Sequence, residues 1–426
     1  MEKARRVVVS GMAINVPIGD TLDTFYGNLI AGKSAITRWR FEGADRSLSK
    51  VGGDLTGYDT AAKLDALASR LPADVTKRLR RLVKKAPFST RLTLLCAADG
   101  MLDAGLPEGY DPDRTGVVVG GHNLANNLVY RNNVQFTVEP EYIDSMLALH
   151  GLDTDQAASV GDALGLHGPV YTMGGACASA NLALRNALDE IRYHDLDVMI
   201  VAGAVLDFSP VDLQAMAIMG AISWKAFHDE PHRASRPYDA DREGFIPAHG
   251  TGVLVLEELE HARRRGARLH AEVLGVSTGS DGSHLPVPSV EGQARTMRRL
   301  LRSTGVRPEE VDYVSAHATS TPLGDVAEIR SIKEVFGSHA QKLKINATKS
   351  MLGHTCWAAP ATETVAALLQ MRHGTLHPSI NIDRLDPEVD LDVCANRAVV
   401  HPVRTLLKNS FGFGGINCCA LFRKPD

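Results

Sequence analysis

The chain has 426 residues, 44% of them hydrophobic, with 46 basic against 50 acidic side chains and a formal net charge of −4. That length allows a large core and, taken alone, two or three domains, while the slightly acidic balance argues against a general nucleic-acid binder. The longest apolar stretch, near 198–206, is far short of a membrane span, and no signal segment opens the chain, so no membrane association and a cytoplasmic location are expected. Six cysteines (96, 177, 356, 394, 418, 419) form neither a C-x-x-C pair nor a zinc spacing with histidine, which supports neither a metal site nor a disulfide scaffold.

Short apolar strands alternate with amphipathic helices without a low-complexity interruption, an α/β pattern. The first singular element is Lys77-Arg-Leu-Arg-Arg-Leu-Val-Lys-Lys85, which sets Lys77, Arg81 and Lys84, and one row over Arg78 and Lys85, on adjacent helical positions. A solvated helix face is the plain explanation. Next, the extended segment Pro169–Thr172 breaks through Met173-Gly-Gly-Ala176 into a helix whose Ala180, Leu184, Ala187, Leu188 and Ile191 recur at spacings of three and four. Cys177 sits at its start. Unpaired N–H groups there lower a thiol pKa from about 8.5 toward roughly 3.5–7.5, so a thiolate is expected, the alternative being a small residue that simply packs.

Further on, Val314-Ser-Ala-His317 runs a buried strand into a histidine and then into a helix that Pro322 can open. Asn346-Ala-Thr-Lys349-Ser-Met-Leu-Gly353-His354 does the same before a helix over 358–369. The last signal is the Gly-rich turn in Asn409-Ser-Phe411-Gly-Phe413-Gly-Gly415-Ile-Asn417. Each is weak alone, since a histidine at a strand end is more often structural than catalytic.

In this order, however, the segments closely resemble the β-ketoacyl synthases, the condensing enzymes of fatty-acid and polyketide synthesis. Arg6–Met12, Phe25–Ser34, Asp197–Gly203 and Ser235–Phe245 extend the resemblance over nearly the whole chain. It implies a thiolase fold of two similar α/β halves in a five-layered αβαβα core, with residues 1–262 carrying the nucleophile and 263–426 the two histidines. The basic run Glu260–Gly266 would lead from one half to the other. It further implies a Cys177, His317 and His354 triad, Lys349 acting on the histidine pair with Glu328 as its counter-charge, and an oxyanion hole from the backbone N–H groups of Cys177 and Phe413. Phe411 and Phe413 would gate the site. Thr319 and Thr321 would hold a phosphopantetheine arm, or merely cap a helix. Lys77, Arg78, Arg81, Lys84 and Lys85 would dock an acidic acyl carrier protein. No cofactor is implied, and the expected assembly is a homodimer, with a heterodimer with a homologous subunit as the alternative.

Two departures bear on substrate. Trp357 stands where the family has small residues after the second histidine; it could narrow the cavity or point into the core. Gly174-Gly-Ala-Cys177-Ala-Ser179, with Leu152–Gln156 upstream, resembles stand-alone ketosynthase-like decarboxylases of polyketide β-branching cassettes, in which the cysteine is usually serine. Retention of Cys177 favours true condensation. Decarboxylation alone and a non-catalytic chain-length partner are the alternatives.

Overall fold

In the computed structural model, which describes residues 5–107 and 109–425, runs of valine, leucine and isoleucine form ten strands of one central sheet. They are β1 (Val7–Asn15), β2 (Thr115–Gly120), β3 (Val170–Met173), β4 (Val198–Gly203), β5 (Thr251–Glu258), β6 (Ala271–Ser280), β7 (Tyr313–Ser315), β8 (Lys344–Asn346), β9 (Thr405–Gly412) and β10 (Ile416–Arg423). Their order across the sheet is β8-β7-β9-β10-β6-β1-β5-β4-β2-β3. At the centre β1 meets β6 only through Val8 with Glu272 and Val9 with Ala271, so the sheet divides there into two sets of five.

Each set has the same path: in order of appearance, third, second, fourth, fifth, first. Parallel pairs join the second strand to the third and fourth, and antiparallel pairs join the fifth to the fourth and first. The chain therefore builds one α/β unit twice.

Eight helices complete the layers: α1 (Ala73–Val83), α2 (Phe88–Asp103), α3 (Asn126–Val138), α4 (Thr154–Leu164), α5 (Ser179–Tyr193), α6 (Val290–Thr304), α7 (Pro322–Phe336) and α8 (Ala359–His373). Helices α2 and α4 cover the outer face of the first set, and α6 and α7 cover the second. The outer helix α6 is one-sided: it buries Met297, Leu300 and Leu301 and turns Arg295, Arg298, Arg299 and Arg302 outward. Between the sheets, α5 and α8 touch both, and α8 is buried around its whole circumference. Each fully buried Leu or Val there contributes about 1.5–3 kcal/mol. The result is the five-layered αβαβα arrangement. Among the described residues no helix is long and apolar enough to cross a membrane.

Both central helices are entered through the same device. After β3, a 3-10 turn at Ala176–Ala178 leads into α5; after β8, a 3-10 turn at Cys356–Ala358 leads into α8. Ala176 and Cys356 each hold φ at +47°, a left-handed conformation costing a non-glycine residue on the order of 1–3 kcal/mol.

Candidate active site

Cys177 is the middle residue of the first turn, two positions before α5. Ser179 fastens the turn by accepting the Gly175 N–H at 2.9 Å and donating to the Ala176 carbonyl at 2.7 Å. Across from it comes the end of β9, where a Cβ on Gly412 would lie 2.8 Å from the Gly175 carbonyl, so only glycine allows the approach. Gly414 and Gly415, at φ +81° and +72°, then turn the chain back into β10. The backbone N–H groups of Phe413 and of Cys177 itself both reach the sulfur. The start of the helix does not by itself lower the Cys177 thiol. Burial pushes the Cys177 thiol up to about 11, and the Lys349 ammonium and the two N–H groups offset this only in part. Desolvation of a residue that is 6% exposed outweighs the helix terminus.

The two histidines approach from the second half. Their ring centres are 5.6 Å apart and nearly perpendicular. His354 is pinned by its own backbone, whose N–H donates to the Ile246 carbonyl and whose carbonyl accepts from Ala248. Its Nδ1 accepts the Cys356 N–H at 3.1 Å, which leaves the proton on Nε2, an atom with no partner among the described residues. Lys349 lies 3.4 Å from Nδ1 of His317 and donates to the His317 carbonyl at 2.6 Å, so this ring too presents Nε2–H outward. Burial first, and the Lys349 ammonium next, hold both imidazoles well below their usual range and therefore neutral.

The counter-charge of Lys349 is Glu363, at 2.5 Å, and not Glu328. Glu328 spends its carboxylate on the backbone, accepting the N–H groups of His317 at 2.9 Å and Ala318 at 2.8 Å, plus the Asn409 amide at 2.9 Å. It fixes the loop that presents His317, in which Ala318 and Ser320 carry positive φ. Glu363 also pairs with Lys408 at 2.7 Å, giving one carboxylate between two ammonium groups, all within the core. Sequence reasoning missed Glu363 and Lys408. Their signal is a charge set close to buried apolar residues: Glu363 two positions before the Val365–Leu369 run of α8, and Lys408 directly after Leu406 and Leu407 in β9.

A cavity of about 360 Å³ leads to this group, with the exposed Met219, Leu285 and Leu323 at its outer part and Cys177, His317 and His354 at its inner end. Phe411 stands 5.7 Å from His317, centre to centre, and Phe413 6.4 Å from Phe245, which in turn packs 5.0 Å from His354. Phe245 ends the Ser235–Phe245 segment, whose resemblance implies no role for it. Thr319 and Thr321 line the cavity with their hydroxyls 3.0 Å apart, and Thr321 also caps α7 through the Gly324 N–H. Trp357 does not line it: its ring stacks on His122 at 4.1 Å.

The basic run lies on α1 and the turn that follows it. Arg81 is committed to Asp162, and Arg78 to Asp74 and the Ala163 carbonyl. Lys77, Lys84 and Lys85 are exposed and meet no carboxylate among the described residues.

Residues 4–262 match the family described as Beta-ketoacyl synthase, N-terminal domain, and residues 270–383 the Beta-ketoacyl synthase, C-terminal domain. The chain is 35% identical to a chloroplastic 3-oxoacyl-[acyl-carrier-protein] synthase I of Hordeum vulgare over 422 residues, 98% of this chain and 89% of the relative. It is 31% identical to the polyketide biosynthesis malonyl-ACP decarboxylase PksF of Bacillus subtilis, over 96% of this chain and 94% of the relative. Among solved structures, a type II polyketide ketosynthase, described in complex with its acyl-carrier protein and bound to the hexaketide, superposes with a TM-score of 0.85 at 28% identity, covering 99% of this chain and 100% of that one. Two profiles spanning most of its length, joined to a buried thiol facing two neutral imidazoles, make the chain a member of the beta-ketoacyl synthase family, an acyltransferase.

Proposed function

We propose that the protein catalyses decarboxylative condensation of an acyl thioester with a malonyl thioester, both delivered by an acyl carrier protein, in polyketide or fatty-acid synthesis. The observation that carries this reading is the pair of Nε2–H donors beside a thiol with its own pair of backbone donors. Such a site can serve two oxyanions in turn.

In the first step the Cys177 sulfur attacks the acyl thioester carbonyl. Charge passes to the carbonyl oxygen, where the Cys177 and Phe413 N–H groups receive it, and the thiol proton leaves with the departing carrier thiol. A malonyl thioester then loses carbon dioxide, and its electron pair becomes an enolate whose oxygen accepts from His317 and His354. Loss of one such donor typically costs on the order of 10²–10³ in rate. The enolate carbon attacks the acyl-Cys177 carbonyl, the C–S bond breaks, and a proton from solvent restores the thiol. Departing carbon dioxide supplies the driving force, so the chemistry requires no cofactor. Thr319 and Thr321 line the path of a phosphopantetheine arm.

For the carrier protein, Lys77, Lys84 and Lys85 supply the outward charge of the docking face, an attraction that weakens with salt. Arg78 and Arg81 belong to the same docking set, held in place by Asp74 and Asp162. The working unit in this reading is a homodimer in the cytoplasm.

The similarity to the Bacillus decarboxylase favours one second reading, decarboxylation without elongation. Intact mass spectrometry of the protein incubated with acyl and malonyl carrier proteins separates the two. Condensation predicts an acyl adduct on Cys177 and a β-ketoacyl carrier product; carbon dioxide release with acetyl carrier protein as sole product would establish the second reading instead.

A further inference from the structure

Condensation, on which this inference rests, needs two substrates at Cys177 at once. The malonyl arm must occupy the cavity, because that is the open path to His317 and His354. The acyl group on the sulfur must then lie on the other side of the Cys177 turn. That side is built from the end of β2, Gly174 and the second 3-10 turn, which packs against the first.

It is filled. The rings of His122 and Trp357 stack at 4.1 Å with an interplanar angle of 29°. His122 lies against the strand leading to the nucleophile, since a Cβ on Gly174 would sit 3.3 Å from its Cβ and Cδ2. Trp357 closes on Gly121, where an added Cβ would meet the Trp357 Cβ at 3.5 Å and would clash with Leu124 and Ala204 at 2.6 and 2.8 Å. The indole Nε1 is buried without a hydrogen-bond partner among the described residues. A Trp is normally placed so that this group is satisfied; here the ring is held by stacking and serves as bulk.

We propose that the Trp357–His122 stack is the chain-length stop of this enzyme, restricting the acyl group on Cys177 to a short one, of roughly two to four carbons. A misfit methylene in an apolar pocket is worth on the order of 10–200-fold in discrimination. An octanoyl group should therefore load at least ~100-fold more slowly than acetyl.

The test is the rate of Cys177 acylation by acetyl, butyryl, hexanoyl and octanoyl thioesters, read by intact mass in wild type, Trp357→Gly and His122→Ala. The two variants open the same space from opposite walls, so one carries the test if the other folds poorly. The expected result is a wild-type profile that falls steeply after butyryl, and an octanoyl-to-acetyl ratio raised at least ~10-fold in the folded variants. A merely structural stack would lower all four rates together. Octanoyl loading of wild type as fast as acetyl, or variant profiles identical to wild type, would overturn the proposal. Uptake by the variants alone would sustain the stop while refuting condensation by the natural protein.

Discussion

The chain makes one turn twice and uses it for opposite ends. In the first half, Ala176 at φ +47° precedes Cys177; in the second, Cys356 at φ +47° precedes Trp357. Two residues beyond β2 stands His122, and two beyond β7 stands His317. His317 faces the open cavity beside Cys177, whereas His122 is stacked on Trp357. The fold thus provides two equivalent places for a histidine next to a strained turn, and in the proposed reaction only one acquires chemistry. What distinguishes them is what lies behind: Lys349, Glu363 and Lys408 behind His317, and burial against Gly174 with Asp153 as a charged neighbour for His122.

The sharpest way to break this comparison is to exchange the roles of the two thiols, Cys177 and Cys356, both buried and on facing turns. Cys177→Ala should abolish acyl-enzyme formation and condensation, a loss beyond ~10³-fold, because no other sulfur meets the oxyanion donors. Malonyl decarboxylation should survive, since the histidine donors remain. Cys356→Ala should still form the adduct. Peptide mapping of the acyl group gives the answer, and an adduct on Cys356 would end the assignment.

Lys408 offers a finer cut. It is fully buried, and its ammonium, with that of Lys349, holds His317 and His354 neutral, burial being the larger cause. The groups around it are Lys349, Glu363 and Glu328, with Cys418 and Cys419 on β10. Removing one positive charge as Lys408→Met raises both imidazole pKa values. Protonated His354 can no longer accept the Cys356 N–H, so the ring loses its orientation and activity falls on the acid side. The acid limb of decarboxylation should move to higher pH by about one unit, ~10-fold in rate on that limb, with the neutral plateau nearly kept. An unmoved limb would show that Lys408 only fills space.

Much of this was legible in the sequence, for a physical reason. Reactive residues at strand ends are flanked by Gly, Pro and small residues that the turns require, so Cys177, His317 and His354 announce themselves through their surroundings. Residues acting from behind the site have no such punctuation. Glu363 and Lys408 are single charges whose meaning depends on a partner 45 positions away, and Glu328 was assigned the wrong partner because spacing cannot say which carboxylate the fold brings to Lys349. The thiol pKa failed similarly: a helix start is visible in a sequence, but the desolvation that outweighs it belongs to the packed structure.

The two ends of the sheet give the last contrast. Beyond β8, the Ile345 N–H bonds the Asp392 carbonyl and Lys344 pairs with the Asp392 carboxylate, so that edge is covered. At the other end, β3 pairs with β2 alone, Val170 is 37% exposed, and Phe136, Val138 and Tyr142 leave further apolar surface exposed in the same half. An open apolar strand edge invites pairing, and a two-fold copy of β3 would cover it while bracing the Cys177 turn that follows. Light scattering at micromolar concentration should therefore give about twice the 45.9 kDa chain mass. Val170→Lys, which places a charge on the edge, should shift the average mass toward the monomer and lower acylation of Cys177 with it. A wild-type monomer with full activity would mean that β3, like β8, is protected by something within its own chain.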